Sequence, residues 1–222
     1  MKNISEKGSS HPSYYEAHER VLNGEKYFSQ ACQDLFVVEM LDHKHGGCYI
    51  EIGGSDPCAS NNTFLLEKTL GWTGFSIEYD PSLAKVYNEH RENMCFAADA
   101  ITFDYAKQIE ILKLPQQIDY LSVDIDPAEN TFAALQKFPF DHYRCSVITY
   151  EHDLYASGPE FMELSRKFLI ERGYQLVVSN VRSFGRDFED WWVDPNIVPE
   201  SIWGKYKDSE IEFDQIFLSA KS

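Results

Sequence analysis

The fold of this protein is decided by a short stretch of its sequence, CYIEIGGSD, which runs from Cys48 to Asp56. Its first five residues are mostly apolar, as in a strand buried in a parallel sheet, and two glycines follow them. A dinucleotide-binding fingerprint, GxGxxG, would place its third glycine at position 58, which is Cys58 here. The pyrophosphate-binding match therefore fails, and what remains is an acidic turn that contains glycine.

Short β-rich runs alternate with helical stretches from this turn onward. The pattern predicts strands over Cys48–Ile52, Gly74–Glu78, Met94–Ala98, Ile118–Val123, Cys145–Tyr150, Tyr174–Ser179 and Phe213–Leu218. It predicts helices over Asn62–Leu70, Ser82–His90, Tyr105–Leu112, Ala128–Lys137 and Glu160–Arg172. Asp80 is placed to cap the second of these helices. Strands that alternate with helices imply βαβ units, so we expect a Rossmann-like α/β fold with a mostly parallel, seven-stranded sheet flanked by helices.

The chain before Cys48 has a different pattern. Residues 1 to about 12 resemble a loose polar tail, and Tyr14–Leu41 has apolar residues at helical spacing. We therefore predict an N-terminal tail and helical extension over residues 1–45, in which the segment from Gln30 to Asp34 is a candidate lid. The α/β domain is predicted over residues 46–222, because a chain of 222 residues fits one domain.

The overall charge argues against nucleic acid as a partner. The chain has 20 Lys and Arg residues against 36 Asp and Glu residues, a formal net charge of -16, and no basic run. Its five cysteines lie far apart without a CxxC pair, as in cytosolic proteins with reduced thiols. No apolar run has the length of a membrane-spanning helix, and the polar N-terminus lacks the apolar core of a signal peptide. We therefore expect a soluble, cytoplasmic protein that does not bind membranes, and the sequence does not indicate its oligomeric state.

Almost every predicted strand ends in an acidic residue, and parallel strands bring these ends to one edge of the sheet. The residues concerned are Glu51 with the turn Gly53, Gly54, Ser55 and Asp56, then Glu78, Asp99, Asp124 with Asp126, and Glu151 with His152. Acids grouped in this way need cations or hydrogen-bond donors as partners. Such a turn suits a ligand that is positively charged and has no phosphate, such as S-adenosylmethionine, and it does not suit NAD.

Two of these acids have positions that suit a nucleoside. Glu78 is placed to accept hydrogen bonds from two ribose hydroxyls, as an acid at the end of the second strand does in nucleotide sites. Asp99 is placed to accept a hydrogen bond from an adenine amino group. The alternative is a turn whose glycines merely allow close helix packing, and the acids at the next two strand ends argue against it.

Several separated blocks, in the right order, resemble the FkbM-type methyltransferases. They are Ser29-Gln30 with Gln33–Phe36, Tyr49–Gly53, Ser60–Thr63 with Leu66-Glu67, Gly71–Gly74 with Ile77-Glu78, Tyr120–Asp126, Val147–His152 and, more weakly, Phe188–Trp192. The resemblance implies a class I methyltransferase sheet, S-adenosylmethionine as cofactor, and methyl transfer to a hydroxyl oxygen, often on sugars or polyketides. The predicted cofactor site then consists of the turn, Glu78, Asp99 and Asp124, together with Gln33, Asn62 and Ala100. Pro57 stands where the family usually has glycine, so we expect a reshaped cofactor loop.

An alcohol acceptor must lose its proton or have its pKa lowered, and two devices are available. His152 would serve as a general base, since an unperturbed histidine titrates near pH ~6.5. Alternatively, Asp124, Asp126 and Glu151 would hold a divalent ion such as Mg²⁺ that binds the acceptor oxygen. The competing interpretations are a helix cap for Asp126, a cofactor-positioning role for Asp124 and a structural role for His152.

Residues Arg182–Trp203 are predicted to form a long irregular insertion before the final strand. Trp191 and Trp192 would stack on a sugar ring, and Arg182 or Arg186 would hold an anionic acceptor, unless these aromatics merely pack the loop onto the core. The leading prediction is an O-methyltransferase that acts on a sugar, a glycan or another small metabolite. The alternatives are a methyltransferase that acts on nitrogen or carbon, and a non-catalytic binding domain that kept the sheet.

Overall fold

The computed structural model describes residues 18–206 and 212–214 of the chain. A small hairpin of strands β1 (Arg20–Leu22) and β2 (Glu25–Tyr27) precedes a seven-stranded sheet. The strands of this sheet are β3 (Cys48–Ile52), β4 (Thr73–Glu78), β5 (Met94–Ala97), β6 (Gln117–Val123), β7 (Arg144–Glu151), β8 (Gln175–Ser183) and β9 (Arg186–Val193). The helices are α1 (Gln33–Met40), α2 (Phe64–Leu70), α3 (Pro81–His90), α4 (Tyr105–Leu112), α5 (Ala128–Lys137), α6 (Leu154–Ser157), α7 (Glu160–Glu171) and α8 (Glu200–Trp203).

The strand order of the large sheet is β5-β4-β3-β6-β7-β9-β8. Strands β3 to β7 are parallel, whereas β9 lies between β7 and β8 and is antiparallel to both. The predicted Rossmann-like, mostly parallel, seven-stranded sheet is confirmed. Because β3 has β4 on one side and β6 on the other, the strand order reverses at β3. A ligand crevice is therefore expected beyond the carboxyl ends of β3 and β6.

Alternate residues of the central strands enter two separate hydrophobic cores, one on each face of the sheet. The core under α1 and α2 includes Tyr49, Tyr120, Val147 and Trp191, and the core on the opposite face includes Ile50, Leu121, Ile148 and Trp192. This division follows from the two-residue period of a strand. Since both faces are covered, the central strands are mostly apolar, which explains why the sequence shows them as largely apolar runs.

Two of the helices, α3 and α4, begin at residues whose side chains cap them. Asp80 accepts a hydrogen bond from the Ser82 N–H (2.7 Å), and Pro81 occupies the first turn of α3. The predicted cap at Asp80 is therefore confirmed. Asp104 caps α4 in the same way, through the Lys107 N–H.

The N-terminal extension differs from the helix predicted over Tyr14–Leu41. Residues 14–17 lie outside the described residues, and the chain after them forms the hairpin β1–β2 before α1 begins at Gln33. Asn23-Gly24 explains the difference, because both residues have positive φ and this dipeptide is preferred in two-residue hairpin turns. The turn signal overrides the helical spacing of the apolar residues around it.

The prediction of an irregular insertion over Arg182–Trp203 is wrong, because Arg186–Val193 forms β9 inside the sheet. The strand signal is hidden in the sequence because Glu189 and Asp190, both buried, interrupt the apolar run. Of the predicted strand Phe213–Leu218, residues 215–218 lie outside the described residues, and Phe213 and Asp214 are not in a strand.

Neither a membrane span nor a disulfide is present in the described part of the chain. No helix within residues 18–206 and 212–214 is both long and apolar enough to cross a membrane. All five cysteines lie in this part, and each is buried with a free thiol. This agrees with the prediction that they are small buried residues outside a disulfide framework.

Candidate functional site

A cavity of about 400 Å³ opens at the carboxyl ends of β3, β4 and β6, where the strand order reverses. Eight of the predicted site residues line it: Glu51, Gly53, Gly54, Ser55, Asn62, Glu78, Asp124 and Asp126. Four of these are acidic, and the described lining contains no Lys or Arg. A ligand in this cavity therefore meets negative charge and no partner for a phosphate group.

Gly53 shapes the floor of the cavity because it lets the backbones of β3 and β6 approach. Its φ of 97° lies in the left-handed region, and a Cβ atom there would lie 1.7 Å from the backbone oxygen of Asp124. The N–H groups of Gly53 and Gly54 both donate to the Ile77 carbonyl (2.9 and 3.1 Å), which ties the turn to β4. The predicted glycine turn thus joins three strands at the site.

The loop after this turn is held by Arg91, a residue that no motif in the sequence indicated. Its side chain is fully buried and donates to Pro57 O, Asn61 Oδ1 and Thr63 Oγ1, each at 3.0 Å. It also forms an ion pair with Glu67 (2.8 Å). Pro57 therefore lies in a loop that is tightly bound to α3, and its carbonyl is one of the attachment points. The spacing of residues in the sequence does not reveal this hydrogen-bonded group, because Arg91 and its partners come from separate segments of the chain.

Asp56 supports the same loop and does not line the cavity. Its Oδ1 accepts hydrogen bonds from the backbone N–H groups of Cys58 (2.8 Å) and Ala59 (2.7 Å). Asn61 Nδ2 closes the loop by donating to the carbonyls of Gly54 and Asp56, both at 3.1 Å. The described contacts of Asp56 are thus with its own loop.

Glu51 is buried beneath the cavity, and hydroxyl groups surround its carboxylate. It accepts hydrogen bonds from Ser76 Oγ (2.6 Å), Tyr87 OH (2.9 Å) and Thr63 Oγ1 (3.1 Å). Burial raises the pKa of Glu51, and Arg91 and the three hydroxyls oppose that shift. These contacts connect β3, β4, α3 and the start of α2, so Glu51 positions the walls of the cavity.

Glu78 lies at the rim of the cavity with both carboxylate oxygens oriented. Oε2 accepts a hydrogen bond from the Ser55 N–H (2.9 Å), and Oε1 accepts one from the Asp80 N–H (2.8 Å). Each oxygen keeps a further lone pair for a ligand. The carboxylate is therefore arranged to accept hydrogen bonds from two neighbouring hydroxyls.

A second cavity, of about 470 Å³, adjoins the first and contains the other predicted nucleoside residues. Asp99 and Ala100 line it, and Tyr79 and Asp126 line both cavities. The Tyr79 side chain is 79% exposed, so its ring is available to cover a planar ligand at the boundary. Tyr79 was not among the predicted site residues, although its position directly after Glu78 indicates that it lies at the same strand end.

Asn62 offers the first cavity a buried acceptor that has no partner among the described residues. Its Nδ2 donates to Ser122 Oγ (3.0 Å), whereas its Oδ1 accepts no hydrogen bond, and the residue is 5% exposed. An unsatisfied buried acceptor costs about 1–3 kcal/mol, so we expect a ligand to donate to it. S-adenosylmethionine has an amino group, a positive sulfur and no phosphate, and this lining fits all three properties.

The carboxyl group of Asp124 lies next to that of Glu151, at the end of the neighbouring strand. Asp153, two residues after Glu151, also lies close to it. Burial, together with the charge of Asp124, raises the pKa of Glu151 far above its ordinary value. Burial also raises the pKa of Asp124. The structure thus brings together Asp124 and Glu151, two of the residues predicted to activate the acceptor.

Gln33 lies behind this carboxyl pair, and Gln30 lines the cavity in its place. Gln33 Nε2 donates to Glu189 Oε2 (2.8 Å), and Trp191 Nε1 donates to Glu189 Oε1 (2.5 Å). Glu189 is opposite Glu151 in the β7–β9 pairing and is completely buried. Burial raises the pKa of Glu189 to about 8. Gln33 therefore supports the group of acids from the side of α1.

The structure does not bring His152 to the cavity. Its imidazole is completely buried, with Nδ1 accepting a hydrogen bond from the Leu154 N–H (3.2 Å) and Nε2 lying 3.4 Å from Asp190 Oδ1. Asp190 is paired with Arg166 at 2.7 Å. His152 thus joins the end of β7 to β9 and α7, which agrees with the structural interpretation and leaves the general-base prediction without geometric support.

The predicted metal ligands Asp124, Asp126 and Glu151 do not assemble into a metal site. In residues 18–206 and 212–214, no group of three or more His, Cys, Asp or Glu side chains has an arrangement that could hold a metal ion. Asp126 is exposed at the rim, while Asp124 is half-buried beside Glu151. The prediction of Mg²⁺ therefore has no support from these residues.

The prediction that Trp191 and Trp192 stack on a sugar ring is wrong. Both are completely buried, one in each core, so the packing alternative is confirmed. Arg182 forms an ion pair with Asp187 (2.7 Å), whereas Arg186 is exposed near the turn of the β8–β9 hairpin.

Neither a comparison with protein-family models nor one with curated proteins finds a match for this chain. Solved structures, in contrast, include clear matches to its fold. An O-methyltransferase from Bacillus cereus in complex with SAH matches 75% of this chain and 82% of its own, with 15% identity and a TM-score of 0.52. Fibrillarin from Aeropyrum pernix, with natively bound S-adenosyl-L-methionine, matches 83% of this chain and 85% of its own, with 17% identity and a TM-score of 0.52. At these identities the similarity shows the fold, and this chain has the Rossmann-like fold of class I S-adenosylmethionine-dependent methyltransferases.

Proposed function

We propose that this protein is an S-adenosylmethionine-dependent methyltransferase that methylates a hydroxyl oxygen of a sugar, a glycan or another small metabolite. The observation that carries the proposal is the acidic cavity at the strand-order reversal, together with the unpartnered Oδ1 of Asn62 inside it. A cavity lined by four acids and no Lys or Arg favours a cationic ligand without phosphate over a dinucleotide. The fold shared with two S-adenosyl-ligand complexes supports the same ligand.

The described residues would hold S-adenosylmethionine along the two adjoining cavities. Glu78 would accept hydrogen bonds from both ribose hydroxyls, and Asn62 Oδ1 would accept one from the amino group of the methionine part. In the second cavity, Asp99 would accept a hydrogen bond from the adenine amino group, and Tyr79 would cover the ring. When bound, this cofactor supplies an electrophilic methyl group on a positively charged sulfur.

Asp124 is the residue that we assign to take the proton of the acceptor hydroxyl. It lines the cavity, and its raised pKa makes it a stronger base than an exposed aspartate. The carboxyl group of Glu151, whose pKa is raised by burial and by the charge of Asp124, lies beside it. This assignment uses two of the predicted catalytic residues and replaces His152 as the base.

The charge of the chain supports a small acceptor in the cytoplasm. A formal net charge of -16, with acids at the rim of the cavity, would repel the phosphate backbone of a nucleic acid. Five buried free thiols are typical of a reducing compartment.

Isothermal titration calorimetry with S-adenosylmethionine and S-adenosylhomocysteine tests the cofactor assignment. We expect micromolar affinity for the wild-type protein, with and without Mg²⁺. Glu78→Gln should weaken both affinities about tenfold or more, because hydrogen bonds to a charged acceptor are each worth about 1.5–3 kcal/mol.

The matched control is Glu110→Gln, which neutralises an exposed acid on α4, away from both cavities. This variant should bind both compounds as the wild type does. If the wild-type protein binds neither compound in either metal condition, the methyltransferase proposal fails and the non-catalytic binding domain replaces it.

A further inference from the structure

The hairpin between β8 and β9 projects beyond the carboxyl edge of the sheet, next to the carboxyl pair of the candidate site. Strand β7 ends at Glu151, which pairs with Glu189, whereas the hairpin continues to the pair Ser183–Arg186. The short helix α6 packs against β9 beside this projection. The hairpin and α6 therefore flank the place where an acceptor would approach Asp124.

The turn of this hairpin has a sequence that folding alone does not explain. Phe184 and Gly185 connect the Ser183–Arg186 pair with φ values of 52° and 73°, which is the two-residue turn in which Asn-Gly is preferred. Gly185 adopts its positive φ at no steric cost, whereas a bulky side chain such as that of Phe184 disfavours this conformation. Phe184 is also 96% exposed, so it buries almost no apolar surface in return. Neither the positive φ of Phe184 nor its exposure favours folding, so a role in binding better explains why a phenylalanine occupies this turn.

Two exposed side chains near Phe184 add an aromatic ring and a positive charge. The guanidinium of Arg186 lies 5.2 Å from the ring centroid of Tyr155 on α6, and Tyr155 is 51% exposed. Arg186 forms no ion pair with any residue in the described ranges, whereas Arg182 is paired with Asp187. An arginine positioned over a ring keeps its N–H donors directed at solvent, which suits an anionic group. We call Tyr155, Phe184 and Arg186 the hairpin patch.

A series of neighbouring ionisable side chains leads from the hairpin patch to the cofactor cavity. The charge of Asp153 raises the pKa of Tyr155 and that of Glu151, so these three side chains lie close together. The charge of Asp124, which lines the cavity, also raises the pKa of Glu151. A molecule that rests on the hairpin patch therefore lies near the group that we assign as the base.

We infer that the hairpin patch binds the methyl acceptor, and that this acceptor is a hydroxylated ring that carries a carboxylate or a phosphate. The aromatic side chains contact the face of the ring, and Arg186 binds its anionic group. Arg186 supplies a cation at an edge otherwise rich in acids, so an anionic group of the acceptor would bind at Arg186 and be repelled by the rest of that edge. The inference rests on the proposed function and specifies its substrate class.

Phe184→Asn separates acceptor binding from folding, because asparagine is preferred at this turn position. We expect this variant to unfold at a higher temperature than the wild type and to keep its affinity for S-adenosylhomocysteine. Its affinity for the acceptor should fall about three- to tenfold, the loss expected for one aromatic contact. The control Ile111→Asn changes an exposed apolar residue on α4 and should leave both affinities unchanged.

Acceptor binding is measured by ligand-observed NMR titration of the protein loaded with S-adenosylhomocysteine. The anionic probes are methyl glucuronide, glucose phosphate and para-hydroxybenzoate, and the neutral probes are methyl glucoside and para-hydroxybenzyl alcohol. We expect at least one anionic probe to bind about fivefold or more tightly than its neutral counterpart, and Arg186→Gln to remove that preference. The glucuronide and the glucose phosphate distinguish a carboxylate from a phosphate.

The inference is overturned if no anionic probe binds better than its neutral counterpart, or if Phe184→Asn and Arg186→Gln leave the affinities unchanged. Binding of S-adenosylhomocysteine is read in the same samples. Its absence in the wild type overturns the proposed function, whereas intact cofactor binding with unchanged probe affinities overturns the hairpin patch alone.

Discussion

At Gly53 the cavity depends on the absence of a side chain. The backbone oxygen of Asp124 occupies the space that a Cβ atom of residue 53 would need, and the φ of 97° disfavours every other residue type. The residue that we assign as the base and the turn that we propose as part of the cofactor site are therefore fixed to each other through one backbone contact. A change at this residue should affect both stability and cofactor binding.

We predict that Gly53→Ala lowers the free energy of unfolding by about 2–5 kcal/mol, the sum of the positive-φ cost and the steric overlap. The variant should also lose measurable binding of S-adenosylmethionine. Urea unfolding followed by circular dichroism and calorimetric titration measure the two effects. Gly46→Ala is the control, because Gly46 has a φ of 63° but no atom within 4 Å of an added Cβ atom, so it should cost about 1–2 kcal/mol and leave binding intact. A Gly53→Ala protein as stable as this control would contradict the account.

The residue types at the strand ends could be predicted, and the directions of their side chains could not. Glu78 and Asp99 face the cavities as predicted, since each follows a parallel strand and meets the crevice directly. His152 also follows a parallel strand, but the backbone carbonyl of Phe188 accepts a hydrogen bond from its N–H (2.7 Å) and its ring points toward Asp190. Phe188 and Asp190 both belong to β9, a strand that the sequence pattern does not indicate. The orientation of His152 could therefore not be predicted from the sequence.

Strand β9 is the element that most changes the predicted site. It places Glu189 opposite Glu151 and Asp190 beside His152. The same strand therefore packs against the carboxyl pair and holds His152, the predicted base, away from the cavity. Glu189 and Asp190 are buried next to Trp191 and Trp192 in this strand. Its sequence therefore lacks the alternation of apolar and polar residues by which strands are recognised. The parallel strands β3 to β7, in contrast, are mostly apolar on both faces, and their positions follow from the sequence.

The pKa of Glu189 predicts how β9 affects stability as the pH changes. Burial raises this pKa from 4.5 to about 8, so the folded protein holds a proton that the unfolded chain releases between these values. The stability contribution of this group is therefore complete below its unfolded pKa and is lost as the pH rises through about 8.

We predict that the free energy of unfolding of the wild type declines between about pH 5 and 8, and that Glu189→Gln reduces this decline. As the pH rises through about 8, the glutamine variant should lose less stability than the wild type, because it has no buried charge to form. Urea unfolding across this pH range measures both effects, with Glu110→Gln as the exposed-acid control. Parallel pH profiles for Glu189→Gln and the wild type would show that Glu189 does not titrate as described.

At the scale of the whole molecule, the sheet topology explains why the acids gather at one edge. Five parallel strands end at that edge, and the strand order reverses beside β3, so the first turn, Glu78 and Asp124 surround one cavity. The similar structures share this topology at 15% and 17% identity, which fixes the fold but leaves the acceptor open. We propose that loops and the β8–β9 hairpin determine the acceptor, and no general sequence code applies to such segments.

We propose that the two adjoining cavities bind S-adenosylmethionine, and a crystal structure of the protein with S-adenosylhomocysteine shows whether they do. We expect both ribose hydroxyls within hydrogen-bond distance of Glu78, the amino group at Asn62 Oδ1, and the adenine between Tyr79 and Asp99. If the ligand binds elsewhere on the protein, or leaves Asn62 Oδ1 and Glu78 without contacts, the proposed cofactor site is wrong.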